Sequence, residues 1–422
     1  MTLSIQTDRA LIRSARRSTR YVLVTVDAPA AERRETRPPV NISLVLDRSG
    51  SMAGAKLALV KEAAEQVLRL LSPNDRFSLV VYDDVVDVVA PSSLATPDAV
   101  RRALEALARV EEGGRTDLCG GWMRGCEQIA LQLVNEQVNR CLLLTDGLAN
   151  NGVTSHDELV RIAGDLAGRG VQTTTFGVGS DFDERLLRDM ADAGQGHFYF
   201  IEKPRQIPDL LASEVGEALD VVARRAILRV GLPAGATAES LNRYHQVNVR
   251  GDNELHVELG DLVSTQHVEV VVRLVMPEGM PGESIAAEFW LADAQGVLGS
   301  SRHDARWTFA EHAENDRQPR NRIVDRAVAS VYAARARAQA TELNRYGDYE
   351  RAQHVLTATA KRIRSYAGND GELNRIADEL LRDLEMYAVR MTLGERKVAF
   401  FGAMASLGGR DSLGRARRAP PA

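Results

Sequence analysis

The sequence predicts an α/β chain in which a doubly wound sheet over 37–223 is inserted in an antiparallel β-sandwich and followed by a helical region. Three observations carry this. The stretch 41–52, NISLVLDRSGSM, is an apolar, β-favouring run that stops at Asp47, and beyond it Leu57, Val60, Ala64, Val67, Leu68 and Leu71 keep helical spacing. Strand-like and helix-like stretches then alternate to about residue 223, the pattern of a largely parallel sheet covered by helices. The period changes to two over 224–309 and back to helical from 321.

Taken in order, 21–26 alternates as a strand, with weaker strands at 3–7 and 11–13. Arg13, Arg16, Arg17 and Arg20 form a basic cluster that reads as a solvated turn, with an anion site as the alternative. Residues 28–39 are a polar, proline-ended linker. In the sheet region 56–71 is helical, 76–82 a strand, and 85–90 an antiparallel edge strand reached across Asp83 and Asp84. Helices follow at 97–110 and 118–134, around a glycine-rich loop that holds Thr116. A strand at 141–145 runs into Asp146. Residues 155–169 are helical, with Ser155 and Glu158 spaced as a capping box. The sheet closes with a strand at 171–178, a helix at 183–193, a strand at 197–201 and a helix at 207–222.

Beyond 224, six alternating stretches separated by Gly, Pro, Asp and Asn read as an antiparallel sandwich. The N-terminal strands have no partners of their own, and a lone strand pair is marginal, so they are expected to complete it. From 321, Ile323, Ala327, Val331 and Ala334 line one helix face. Gly347 and Asp348 then separate two amphipathic helices, like a single tetratricopeptide hairpin, and 372–389 is a further helix. The expected divisions are 1–36, 37–223, 224–312, 313–400 and a flexible basic tail at 401–422.

The chain has 422 residues, 44% hydrophobic and 26% charged, an ordinary globular composition long enough for two or three domains. A net charge of -5 gives no global attraction to nucleic acid. The opening MTLSIQTDRALIRSARR has no apolar core of signal-peptide length, and no window reaches transmembrane length without charges. Cys119, Cys126 and Cys141 fit no zinc spacing and read as free core thiols, which suits a cytoplasmic location. Arg-rich, Lys-poor usage suits a GC-rich bacterial genome.

Asp47, Ser49 and Ser51 sit where a strand gives way to a helix, and in open α/β sheets ligands bind at the carboxyl ends of strands. With Thr116 in GGRTDL and Asp146 in RCLLLTDG, they make an oxygen-only donor set. Two carboxylates converging to about 5 Å would repel by about 3 kcal/mol at an effective dielectric of 20, a cost a cation removes. With no His or Cys in the set, Mg²⁺ or Mn²⁺ is favoured over Zn²⁺.

Asp-x-Ser-x-Ser, a loop Thr and a strand-end Asp resemble the metal-ion-dependent adhesion site (MIDAS) of the von Willebrand factor A family, over about 39–223. The resemblance implies a Rossmann-like domain in which Ser49, Ser51 and Thr116 are hydroxyl ligands. Asp47 and Asp146 would supply charge, at least partly through water. An open coordination position would take an Asp or Glu from a protein partner. It further places Asn150, Asp181 and Asp183 on the rim. The expected role is an adaptor or scaffold, with an AAA+ ATPase or a signalling protein such as a kinase among the partners the family implies. The alternative is a metal-dependent hydrolase, with Asp117, Asp181 and Asp183 as candidate bases. Against catalysis, a haloacid-dehalogenase-like nucleophile would need Asp where Ser49 stands, and there is neither a Gly-x-Ser-x-Gly elbow nor a Walker loop.

Overall fold

In the computed structural model the described residues are all but 32–36, 135–136, 250, 252, 294–297, 299–300 and 419–422. The middle of the expected linker and the last residues of the tail thus lie outside them. The chain divides into two units. One comprises Met1–Ala31, Val221–Ser412 and Ala416–Ala422, the other Glu32–Asp220 and Leu413–Arg415. Among the described residues no helix is long and apolar enough to cross a membrane.

The chain opens with β1 (Thr2–Thr7), β2 (Leu11–Arg13) and β3 (Ser18–Asp27) of the first unit. The second unit then runs β4 (Val40–Asp47), α1 (Ala55–Leu70), β5 (Arg76–Tyr82), β6 (Val86–Leu94), α2 (Pro97–Ala108) and α3 (Leu118–Ala130). It continues with β7 (Val138–Thr145), α4 (His156–Gly168), β8 (Gln172–Val178), α5 (Glu184–Ala193), β9 (Gln195–Ile201) and α6 (Ile207–Leu219). Its sheet has the order β6-β5-β4-β7-β8-β9, with all pairs parallel except β5 with β6. Edge strand β6 carries Pro91, tolerated where no neighbour needs its N–H. The strand order reverses between β4 and β7, whose residues are all buried, as parallel strands covered on both faces require. A Cβ on Gly121 would lie 2.4 Å from the Tyr82 ring, and one on Gly125 2.2 Å from Val45. Helix α3 therefore rests with its backbone close to the sheet, and the loop before it is carried to the strand ends. The Ser155 capping box does not form. Ser155 stands at the N-cap of α4 without a side-chain capping bond, and Asp157 and Glu158 supply the favourable charge in the first turn instead.

The first unit resumes with β10 (Val221–Gly231), β11 (Thr237–Ser240), β12 (His245–Val249), β13 (Glu254–Val263), β14 (His267–Met276), β15 (Ser284–Ala292) and β16 (His303–Ala310). Its two sheets have the orders β1-β3-β14-β11 and β12-β13-β10-β15-β16-β2. Pairing is antiparallel throughout except for a short parallel contact of β2 with β16. Val22, Val24, Val26, Val270, Val272 and Leu274 from the first sheet share one core with Leu228, Val230, Phe289 and Trp307 from the second. The intervening Leu23 and Val271 point to the other face of the first sheet, as the two-residue period demands, and are also buried.

The chain continues with α7 (His312–Arg317), α8 (Arg322–Arg345), α9 (Tyr349–Ala367), α10 (Gly371–Arg382), α11 (Leu384–Tyr387) and α12 (Leu393–Leu407), of which α8 and the end of α12 pack on that outer face. The expected α8 stripe is rotated. Val324, Val328, Val331 and Ala334 pack on Leu23 and Val271, while Ile323 is 54% exposed. Ala329, Ala333, Ala336 and Ala340 face Leu356, Ile363, Ile376 and Leu380 of α9 and α10, so α8 is buried on two sides and shows no single amphipathic stripe. Gly347, at φ 79°, and Asp348, which caps α9, make the expected turn. The expected flexible tail from 401 is corrected. Residues up to Leu407 are helical, His267 N–H donates to Arg417 O at 2.9 Å, and Gln266 bridges Arg418. The start of β14 offers unpaired backbone groups, and the tail takes them.

Because β3 lies between β1 and β14, removing residues 1–31 strips β14 of its longest partner. The expected outcome is loss of amide protection in β14 and β11 with protection retained in β4 and β7, measured by hydrogen exchange. Protection retained in β14 would contradict it.

Candidate metal centre

Asp47 is the last residue of β4 and is fully buried. Its Oδ1 accepts the Ser49 N–H at 2.8 Å, and its Oδ2 accepts the hydroxyl of Thr145, the last residue of β7, at 2.7 Å. The Ser49 and Ser51 hydroxyls lie 3.2 Å apart, and Ser51 Oγ donates to Asp146 Oδ1 at 2.6 Å. The ends of two parallel strands and the loop after β4 thus make one connected cluster of oxygens, buried at Asp47, Ser49 and Asp146 and open to solvent at Ser51.

Thr116, in the loop before α3, lies beside Gly147, the residue after Asp146. Its Oγ1 lies 3.3 Å from where a Cβ on Gly147 would stand, so the glycine after Asp146 leaves the hydroxyl room. Thr116 N–H donates to Asn150 Oδ1 at 3.2 Å, and Asn150 N–H donates back to Thr116 O at 3.4 Å. Asn150 therefore joins the site through Thr116. The other two rim candidates do not join it by any described bond. Asp183 is engaged as the N-cap of α5, accepting from Arg185 and Leu186 N–H, and Asp181 is exposed beside Ser180. Asp117 is likewise engaged, capping α3 at Gly120 N–H, 2.9 Å.

Two residues that the sequence reading passed over hold the arrangement. Asp83, just after β5, accepts from Val85 N–H at 2.7 Å and Gly114 N–H at 3.1 Å and pairs with Arg48 at 3.4 Å. Its backbone carbonyl takes Asp117 N–H at 2.7 Å. A Cβ on Gly113 would fall 1.5 Å from Asp83 Oδ2, so only glycine permits this approach. Burial works against the Asp83 charge, but these hydrogen bonds and Arg48 hold its carboxyl below the usual range. Lys56, in the first turn of α1, sets its ammonium against Asp146 Oδ2 and donates to Ser51 O at 3.1 Å. A turn dipeptide and a helix-start lysine carry no local signal of such roles; they are found only once the strands are paired.

The pattern of the strands, the reversal of strand order and the loops gathered at it are those of a known fold. Residues 41–213 match the von Willebrand factor type A domain family. The second unit thus contains a von Willebrand factor type A domain, at 41–213. Over the whole chain the structure is similar to a von Willebrand factor type A protein of Catenulispora acidiphila, with a TM-score of 0.70, 18% identity, and 91% of this chain and 88% of that one covered. In sequence it is 26% identical over 290 residues to the uncharacterized protein sll0103 of Synechocystis, covering 67% of each chain. It is also 26% identical over 260 residues to the uncharacterized protein YfbK of Escherichia coli, covering 60% of this chain and 45% of that one. The chain thus spans about half the length of the Escherichia coli relative.

A second carboxylate group in the A domain has a structural explanation. His197, Glu214 and Glu217 offer ligand atoms within 4.8 Å of one another. Glu214, however, is bound to Arg140 at 2.8 Å, to the Thr174 and Tyr199 hydroxyls at 2.7 Å each, and to His197 at 2.9 Å. The guanidinium already neutralises it, as a buried charge requires.

The oxygen cluster fits a hard divalent cation. All its donors are carboxylate or hydroxyl oxygens, and its charge is under strain. Burial pushes the Asp47 carboxyl up to about 6 despite hydrogen bonds from Ser49 and Thr145, and the neighbouring Asp146 adds to the push. That rise corresponds to about 3 kcal/mol. Because the folded value is raised, this contribution to stability is present below about pH 4 and is lost as pH rises through about 6. In chelator at pH 7.5, Asp47→Asn should therefore be more stable than wild type by up to about 3 kcal/mol, the gap closing toward pH 4. Amide exchange of β4 reads this, and a less stable Asn variant at pH 7.5 would refute the strained-carboxylate account.

Proposed function

We propose that the A domain is a divalent-metal-dependent protein-binding module, an adaptor whose cation is held by Asp47, Ser49, Ser51, Thr116 and Asp146. The observation that carries this reading is the connected oxygen cluster at the reversal of strand order. Ser49, Ser51 and Thr116 are the direct ligands in this reading. Asp47 already accepts from protein donors through both oxygens, which suits a charge acting through water. Asp146 would exchange its contact with Lys56 for the cation. Mg²⁺ or Mn²⁺ suits the all-oxygen set. The bound cation offers a Lewis-acidic coordination position to an acceptor from outside, and an Asp or Glu of a partner fits it best. The sandwich built from residues on both sides of the A domain would serve as its carrier, in a cytoplasmic protein working beside an AAA+ ATPase or a signalling protein.

A metal-dependent hydrolase would need a general base near the metal. Two of the three candidates, Asp117 and Asp183, spend their carboxylates capping helices, which favours the binding reading.

Calorimetry with Mg²⁺ and Mn²⁺, and capture of a native partner with and without EDTA, test this together. Binding of metal should be lost in Asp146→Ala and Thr116→Ala while the fold persists. Partner binding should vanish with EDTA and in the same variants, and change only modestly in Asp181→Ala, since rim groups are hydrated. Equal metal binding by Asp146→Ala and wild type, a partner indifferent to EDTA, or metal-dependent hydrolysis on phosphoester or peptide panels would each overturn the proposal.

A further inference from the structure

The arginine cluster set aside in the sequence as a solvated turn is built differently in the first unit. Arg9, Arg13, Arg16, Arg17 and Arg20 line one cavity of about 270 Å³, with Asn315 on its wall. Arg20 is only 3% exposed, and its guanidinium is fixed by Leu11 O at 2.9 Å, Thr19 O at 2.7 Å and Asn315 Oδ1 at 2.6 Å. Arg13 is fixed by a fork to Asp316 at 2.6 and 2.8 Å, and Arg9 leans on Asp8 at 3.3 Å. Arg16 and Arg17 are exposed, and among the described residues neither makes a hydrogen bond or ion pair.

The turn that carries them is held rigidly. Ser14 N–H donates to Ala310 O at 2.9 Å, Ala15 N–H to Gly279 O at 3.0 Å, and Arg13 N–H to Ser18 Oγ at 3.2 Å. Between these anchors Ala15 takes φ 50°, a left-handed conformation that a Cβ disfavours and that persists only where the surroundings impose it. Arg16 and Arg17, which follow Ala15 in sequence, line the same cavity as Arg9, Arg13 and Arg20. Five cations there meet two contacting carboxylates, Asp8 and Asp316, so like charges are crowded without full compensation. Burial, with Arg9 and Arg13 close by, lowers Arg20 to about 10 although Asp8 opposes this. A turn that served only solvation would need neither a buried guanidinium at its base nor this backbone strain.

We propose that this cavity is a binding site for the phosphate group of a small phosphorylated molecule, with Arg16 and Arg17 as recognition arms and Arg9, Arg13 and Arg20 as fixed positive charge. Planar guanidiniums match phosphate oxygens in pairs. The volume holds roughly nine waters at about 30 Å³ each, the scale of a phosphorylated headgroup. The site is independent of the metal centre.

Isothermal titration of the full chain with inorganic pyrophosphate, at low salt and in EDTA, tests this. Wild type should bind, and Arg16→Ala/Arg17→Ala should bind at least tenfold more weakly with an unchanged melting temperature, since neither side chain supports the fold. Arg102→Ala/Arg109→Ala, which removes two exposed arginines of the A domain, should bind like wild type. No binding of pyrophosphate by wild type, or an equal loss in the Arg102/Arg109 variant, would overturn the proposal. Tighter binding of a hexa-aspartate peptide than of pyrophosphate would also overturn it, in favour of an acidic protein segment.

Discussion

The A domain depends on the burial of two carboxylates at the ends of adjacent parallel strands. Asp47 ends β4, and the parallel register pairs Leu46 with Leu144, so Asp47 emerges beside Thr145, and Asp146 follows one residue on. Taking such charges out of water is costly unless each is hydrogen-bonded or paired. The chain answers with Ser49 N–H and the Thr145 hydroxyl on Asp47, and with the Ser51 hydroxyl and the Lys56 ammonium on Asp146. The compensation is incomplete at Asp47, whose carboxyl stays raised. A domain with a large buried sheet tolerates this local strain, and strain of this kind belongs at a site that gains from binding a cation.

The same logic orders the loops. Thr116 cannot reach the cluster unless the glycine-rich segment before it runs close to β5, and Asp83 ties that segment down through Gly114 and Asp117. Gly121 and Gly125 let α3 settle onto the sheet behind it. Carboxylate and glycine positions far apart in sequence thus fix the course of the loop that carries Thr116.

In the first unit, the strand period and the helix period meet on one surface. The sheet β1-β3-β14-β11 is buried on both faces, by the second sheet on one side and by α8 on the other. This explains why β3, expected to alternate, buries apolar residues on both faces, Val22, Val24 and Val26 on one and Tyr21 and Leu23 on the other, and why α8, pressed between the sheet and α9–α10, is lined with alanines instead of large residues. Small side chains let a helix approach two neighbours at once.

Much was legible in the sequence because it is local. Asp47, Ser49 and Ser51 follow an unmistakable apolar run, and a change of hydrophobic period is visible wherever strands give way to helices. The edge strand after Asp83 and the turn at Gly347 were legible for the same reason. What tertiary structure alone decided is non-local. The face of α8 that packs depends on a sheet assembled from both ends of the chain, so Ile323 was misassigned to it. The docking of the tail depends on free backbone groups at the start of β14. Asp83 and Lys56 look like an ordinary turn residue and an ordinary helix residue until strand pairing brings them to the site. Periodicity states how a segment wants to be buried; only the finished packing states against what.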